Sequence, residues 1–376
     1  MVISIIIWAL FGVIIIYLIV IGIITFGWFQ LSNVTNKDIG NDIEVSVVIA
    51  VRNESKNIRQ LIKSLVNQTY DSKYYEIIIV DDHSTDDTSS LINCYISENI
   101  SPQIRLISAL DTGKKSAISQ GIGESCAKLI VTTDGDCYVK TGWLSSIVSY
   151  YNSNDYKLII GPVVYSNEKT LLQKLFSLDF ASLVASGAGS VGARLPLMGN
   201  GANLAFEREV YISANINSKN YVSGDDVFLI HHVAKKYSSK FIGFLQNEEA
   251  IVSTDPPANF TGFLKQRIRW ASKATGYKLI WPIIVSLSVF IFNLLLFLML
   301  LGGIFFTWLL PVYFLIILTK FVIDMPLVFR FLSFSKKSNL KPLFFFMEFI
   351  YPVYIVISAV SSFIFSFDWK ERNDLR

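Results

Sequence analysis

Cysteine and histidine are scarce, at three residues each in a chain of 376. Cys94, Cys126 and Cys137 are odd in number and lack the paired spacing of a zinc site, so they read as reduced thiols and exclude a disulfide framework. His231 and His232 fall in a helical pattern, where neighbouring residues do not share a face and make poor joint metal ligands. The net charge of +3 is too small an excess to argue for a nucleic-acid partner. The sequence has no internal repeat and no low-complexity linker. Charge of either sign is missing from residues 2–29, and acids are missing from residues 329–342.

What is present is apolar. Hydrophobic residues make up 52% of the chain and the mean hydropathy is +0.46, too high for one soluble domain. The excess sits at the two ends. Residues 2–29 are long enough for a bilayer span. A cleaved signal peptide fits less well: the basic leading region and the small-x-small site are missing, and the run is too long. Residues 279–323, interrupted by Gly302-Gly303 and Pro311, suit a hairpin of two spans. Residues 343–367 make a further span, although Glu348, Pro352 and several serines also fit an interfacial or re-entrant segment. The loop between these last two carries Arg330, Lys336, Lys337 and Lys341, which the positive-inside rule places in the cytoplasm. An even number of crossings then puts residues 44–277 in the cytoplasm too, with the N-terminus and the 370–376 tail outside. The expected domains are an N-terminal helix (1–30), a cytoplasmic domain (44–278) and a membrane domain of about three helices (279–367).

The central block alternates strand and helix patterns. Residues 45–51 are a nearly continuous aliphatic run, as for a strand covered on both faces. Ile58, Leu61, Ile62, Leu65 and Val66 recur at helical spacing behind Asn53-Glu54-Ser55, read as a capping segment. Residues 76–80, 104–107 and 129–133 predict further strands, with helices opening after Asp81–Asp86 and near Lys114. This rhythm predicts an α/β fold with a doubly wound, mostly parallel sheet. Beyond it, residues 158–164 are strand-like, 171–184 helix-like, and 187–201 glycine-rich and irregular. A helix follows Ser223-Gly224-Asp225-Asp226, and another begins near Asn259.

The acidic turn Thr133-Asp134-Gly135-Asp136 closes a buried strand. Two carboxylates one residue apart can share a divalent cation, or divide between a cation and sugar hydroxyls, and the glycine lets backbone come close to a ligand. A solvated Asp-Gly turn is the bland alternative. Ligands bind such sheets at strand carboxyl ends, where Asp82, Asp134 and Asp136 all fall, so one crevice could hold them together.

The segments 47–54 (Val-Val-Ile-Ala-Val-Arg-Asn-Glu), 80–86 (Val-Asp-Asp-His-Ser-Thr-Asp), 133–136 (Thr-Asp-Gly-Asp), 224–226 (Gly-Asp-Asp) and 266–270 (Gln-Arg-Ile-Arg-Trp) occur in the order seen in inverting family-2 glycosyltransferases. The chain resembles the membrane-embedded branch: cellulose, chitin and hyaluronan synthases and ceramide glucosyltransferases. The resemblance covers residues 44–277. It implies a Rossmann-like GT-A domain with transmembrane helices, acting on a nucleotide-sugar with Mg2+ or Mn2+. It also implies a lipid or glycan acceptor and a bacterial inner membrane with the catalytic domain in the cytoplasm.

Under that resemblance Asp82 would sit beside the base and ribose, whereas Asp86 and Asp87 fit helix N-terminal acids. Asp134 and Asp136 would handle the ribose and the metal, and Asn53 and Glu54 would join the donor contacts. Lys114 adds positive charge near the phosphates, and a solvated lysine fits it equally. Asp226 matches the family's general base. Asp225 stands where the family usually has glutamate, and a helix cap fits either acid. Gln266, Arg269 and Trp270 share a helix face at i, i+3 and i+4, suited to diphosphate oxygens (Gln266, Arg269) and to stacking on an acceptor (Trp270). An amphipathic juxtamembrane helix, with Lys265, Arg267, Lys273 and Lys278 towards lipid headgroups, fits the same stretch. Two other readings remain: polyprenyl-phosphate glycosyltransferases, which lack the Gln-x-x-Arg-Trp helix, and a non-catalytic nucleotide-sugar scaffold, against which the acid at Asp226 speaks.

Overall fold

The computed structural model describes residues 2–31, 43–98, 101–215, 225–364, 367–369 and 372–374. Its chain divides into two compact units: a sheet unit drawn from Leu31–Asn167 and Met198–Asp255, and a helical unit drawn from Met1–Gln30, Glu168–Leu197 and Pro256–Leu375.

The sheet unit is built on seven strands. In chain order they are β1 (Val45–Val51), β2 (Tyr75–Asp81), β3 (Gln103–Ser108), β4 (Leu129–Thr132), β6 (Leu158–Ile160), β8 (Leu204–Glu207) and β9 (Ile242–Phe244), and they lie in the order β3-β2-β1-β4-β8-β6-β9. β3, β2, β1 and β4 are parallel neighbours, β8 runs antiparallel to both β4 and β6, and β9 is parallel to β6. A three-stranded sheet of β5 (Cys137–Tyr138), β7 (Val163–Tyr165) and β10 (Val252–Thr254) stands beside it. Every residue of β1 is buried, because helices cover both faces of a parallel sheet. Those helices are α2 (Ile58–Val66), α3 (Thr88–Ser97), α4 (Lys114–Gly123), α5 (Trp143–Asn152), α7 (Arg208–Ala214) and α8 (Asp225–Lys236). The parallel half stacks its strand ends in register: Val51 lies opposite Asp81, which lies opposite Ser108. The three following loops therefore open at one edge.

The helical unit contains α1 (Val2–Gln30), α6 (Leu171–Gly192), α9 (Phe260–Ser272), α10 (Ile280–Gly302), α11 (Leu309–Phe334) and α12 (Lys341–Ile364). Five described helices are long and apolar enough to cross a membrane, among them α1, α10, α11 and a stretch over α12, as the sequence predicts. The fifth is α6, which extends eight residues past its predicted end at 184, into the glycine-rich segment. There the glycines serve a helix crossing. A Cβ on Gly189 would overlap the Ile24 carbonyl of α1, and one on Gly192 would overlap the carbonyl of Gly27. Only backbone fits such an approach. Connectivity shows that α6 is not a crossing. A complete passage would put β6 and β8 on opposite sides of a bilayer, yet they precede and follow α6 and are hydrogen-bonded to each other.

The core of this unit joins Tyr17, Ile21, Phe292, Leu296, Tyr313 and Ile317, with Tyr17 and Phe292 stacked at 4.0 Å. Polar groups cross it. Lys320, 1% exposed, pairs with Asp324 at 2.7 Å one turn along α11 and with Glu348 of α12. The Tyr17 hydroxyl donates to both Asp324 oxygens, at 2.9 and 2.8 Å. Three separated helices are thus joined by one ionic cluster, in an environment where such groups persist only when mutually satisfied.

Candidate active site

The loop after β1 caps α2 through its backbone, the Glu54 carbonyl accepting from the Ile58 N–H at 2.9 Å, and its other groups turn elsewhere. Asn53 is left-handed at φ 53°, and its Oδ1 accepts from the Thr85 N–H at 2.8 Å. Backbone N–H groups of Asn53 and Ser55 donate to Ser84 and Asp86 of the next loop, and that of Glu54 to Thr88 at the head of α3. The segment is a strap between neighbouring strand ends. Asp86 is the acid at the head of α3: its Oδ1 accepts from the Thr88 N–H at 3.0 Å and the Thr88 hydroxyl at 2.5 Å. Burial opposes its ionisation, but these bonds and those from Ser55 outweigh it and lower its pKa to about 2.

Asp82 follows β2 and is fully buried. Its backbone N–H donates to the Val51 carbonyl at 2.8 Å, while its Oδ2 accepts from the Gly113 N–H at 3.1 Å. Gly113 has φ 113°, a conformation L side chains rarely adopt, and it turns the chain into α4. The next residue, Lys114, donates to Asp134 Oδ1 at 2.5 Å. One turn therefore ties Asp82 to Asp134, and Lys114 is an ion-pair partner of the acidic turn instead of a solvated lysine.

Gly135 has a packing reason as well. A Cβ there would meet Glu54 Cγ at 2.9 Å and Val51 Cγ1 at 3.1 Å, so the glycine seats the acidic turn against the end of β1. Glu54 is held by Asn57 Nδ2 at 2.8 Å. Asp134 is half-buried and Asp136 exposed. Burial first, then the carboxylates of Asp136 and Asp134, push the adjacent Cys137 thiol well up.

From β4 the Thr132 hydroxyl donates to the Gly201 carbonyl at 2.7 Å, and the Gly201 N–H reaches Asp226 Oδ2 at 3.4 Å. Asp226 Oδ1 accepts from the Val227 N–H at 2.8 Å in the first turn of α8. Asp82, Asp134 and Asp226 thus belong to one bonded edge of the sheet unit. Asp225 begins α8, and Ser223 and Gly224 lie outside the described residues. Sequence reasoning passed over Arg52, whose guanidinium donates to the carbonyls of Asp82 and His83 at 2.8 and 3.1 Å, and also Gly113 and Gly201. Arg52 lay within a quoted motif; the two glycines carry signal only as breaks between helix and strand patterns.

A divalent cation fits this edge in one way. Among the described residues no three His, Cys, Asp or Glu side chains gather into a protein cage. Asp134 and Asp136 offer two accessible carboxylates, and the buried Thr133 hydroxyl beside them has no protein partner. That donor set suits a cation completed by substrate phosphates.

In the helical unit, α9 carries Gln266, Arg269 and Trp270. Gln266, Arg269 and Trp270 are each half-buried. Arg267, expected to face lipid headgroups, turns inward instead and is 5% exposed.

A mostly parallel sheet with acids along its carboxyl edge, joined in sequence to long apolar helices, defines a GT-A fold with transmembrane segments. The chain belongs to the family-2 glycosyltransferases: the pattern of "Glycosyl transferase family 2" matches residues 46–206, and that of "Glycosyl transferase family group 2" matches residues 129–335, more than half of the 376. It is 31% identical over 122 residues to glycosyltransferase AglE of Haloferax volcanii, covering 32% of this chain and 40% of that one. It is 28% identical over 245 residues to the hyaluronan synthase of Streptococcus pyogenes, covering 61% and 57%. The chain therefore spans less than three-fifths of the length of these curated relatives. The mannosyltransferase PcManGT of Pyrobaculum calidifontis, solved with GDP-Man and Mn2+, shares the fold at a TM-score of 0.60 and 15% identity over 97% of each chain.

Proposed function

We propose that this protein transfers a sugar from a nucleotide-sugar, a UDP-sugar, to a lipid, glycolipid or growing glycan at the cytoplasmic membrane face, with inversion at the anomeric carbon. The observation that carries the reading is the bonded edge on which the Gly113–Lys114 turn holds both Asp82 and Asp134 while Gly201 reaches Asp226. Asp226 is the general base: it takes the proton of the acceptor hydroxyl as that oxygen attacks C1 and the bond from C1 to the phosphate oxygen breaks. Such a base contributes about 10²–10⁴-fold. Asp225 supports it at the start of α8. Asp82, Asn53 and Glu54 hold the nucleoside side of the donor, Lys114 offers positive charge to the diphosphate, and Gln266 and Arg269 bind its oxygens. Trp270 gives the acceptor a plane.

Asp134 and Asp136 would hold Mg2+ or Mn2+ against the donor diphosphate. A cation there neutralises charge on the departing nucleoside diphosphate. The Mn2+ and GDP-Man bound to the mannosyltransferase of the same fold support both a divalent cation and a nucleotide-sugar. The domain limits that accompany the reading are 1–30, 44–278 and 279–367.

The test incubates membranes containing the protein with labelled UDP- and GDP-sugars and sorts the product into lipid-extractable and polymeric fractions. Label from one UDP-sugar in the lipid fraction is the expected result. Label from none of the donors in either fraction overturns the reading.

A further inference from the structure

Arg267 lies between Gln266 and Arg269 yet belongs to neither the phosphate-facing set nor the lipid-facing set. Its Nε donates to Asp179 Oδ2 of α6 at 2.6 Å, and Nη2 lies 2.5 Å from the same oxygen, a charge contact in place of a second directed bond. Asp179 is 1% exposed, and its other oxygen accepts the Tyr354 hydroxyl from α12. Both charges are therefore removed from water, each bonded, and shared by three helices. An ion pair this buried contributes little net stability, because desolvation offsets the attraction. Geometry is what it can supply.

The guanidinium meets two aromatic rings of its own helix. Its centre sits 4.6 Å from the Phe263 ring and 4.4 Å from the Trp270 ring. Its Nη1 donates to Gln266 Oε1 at 3.0 Å. Phe180 of α6 meets Trp270 at 5.7 Å, and Phe176 stacks on Phe263 at 4.2 Å, so α6 also fixes the rings that bracket Arg267. One buried cation thus touches two of the three side chains assigned to ligands on α9, while α6 and α12 hold the cation.

We propose that Arg267, fixed by Asp179 and Tyr354, is a positioning residue that sets the side-chain geometry of Gln266 and Trp270 for transfer. Its kinetic arm rests on the transferase reading above. Asp179 lies in a helix that none of the five sequence motifs includes, so the active conformation of α9 depends on α6. Lysine cannot replace Arg267, since it keeps the charge but loses the plane and the fork. A displacement of about 1 Å in a substrate-holding group is enough to cost on the order of 10² in rate.

The test uses the full-length protein. Arg267→Lys and Asp179→Asn are each expected to lower kcat/KM about 10- to 100-fold, and Tyr354→Phe, the mildest change, about 3- to 10-fold; removing one partner of the buried pair also lowers the thermal midpoint, so rates are compared well below the midpoint of each variant. In a Gln266→Ala background Asp179→Asn should cost far less than in the parent, because the side chain it positions is gone. Trp270 emission, taken as the difference from the matching Trp270→Phe protein, should shift in Arg267→Lys and Asp179→Asn. Additive losses with unmoved Trp270 emission overturn the proposal, as does full activity in Arg267→Lys. If the parent transfers no sugar from any donor, the transferase reading fails. The emission arm then decides alone: a shift supports the positioning role and no shift overturns it. If Asp179→Asn fails to fold, Arg267→Lys and Tyr354→Phe carry the same comparison.

Discussion

Asp226 and Asp136 have different surroundings, half-buried and exposed, and their substitutions separate the two jobs proposed for them. Asp226→Asn keeps the acceptor for the Val227 N–H at the head of α8 while removing the basic oxygen. Donor binding should survive and transfer should fall about 10²–10⁴-fold; equilibrium binding of labelled nucleotide-sugar beside a turnover assay checks both. Asp136→Ala removes an exposed carboxylate with little packing role, so the protein should fold normally and lose cation-dependent transfer. Equal rates in excess EDTA and in Mg2+ would refute the metal assignment. Asp86 gives a structural control. Its folded pKa of about 2 lies below its ordinary value of 3.8, so its contribution is present above that value and lost as pH falls towards 2. Because the group is exposed, Asp86→Ala should cost only about 0.5 kcal/mol at pH 7. The difference from the parent should shrink below pH 4 in thermal unfolding curves.

Among the elements, the parallel half of the sheet was legible because aliphatic runs such as residues 45–51 can be little else than strands buried on both faces. The acids at strand ends were legible for the same reason: a run that stops at Asp81 or Asp134 marks an edge. One element was misread on physical grounds and one was read only in part. Residues 187–192 look like a breaker-rich loop, because glycine lowers helix propensity, yet a helix crossing close enough to exclude a Cβ at Gly189 and Gly192 demands it. Asn53–Ser55 looks like a cap, and the Glu54 carbonyl does accept from Ile58 at the head of α2, but the N–H groups of Asn53 and Ser55 bond the neighbouring loop. Of the ionic cluster only Lys320 and Asp324 lie within helical reach of each other in the sequence; Glu348, which pairs with Lys320, and Tyr17, which bonds Asp324, are remote. Lys320→Met should leave the buried Glu348 and the half-buried Asp324 without their cation and cost about 3–5 kcal/mol. Adding Glu348→Gln should recover much of it, measured as the thermal midpoint in detergent.

For the whole molecule, orientation is readable with its own thiols. Cys94 and Cys126 are exposed on the sheet unit and Cys137 is buried. A membrane-impermeant maleimide should modify Cys94 and Cys126 in inverted vesicles, spare them in right-side-out cells, and spare Cys137 in both; mass spectrometry of the peptides checks this. Modification from the outer face would reverse the cytoplasmic assignment. The ionic cluster of the helical unit has a further consequence for biosynthesis. Lys320 and Asp324 stand one turn apart on α11, so they can leave the translocon as a self-neutralised couple before α12 has been made. Tyr17 precedes them in the chain, and Glu348 of α12 is the last of the four to be made. The order in which the chain emerges therefore never requires a lone lysine to enter lipid.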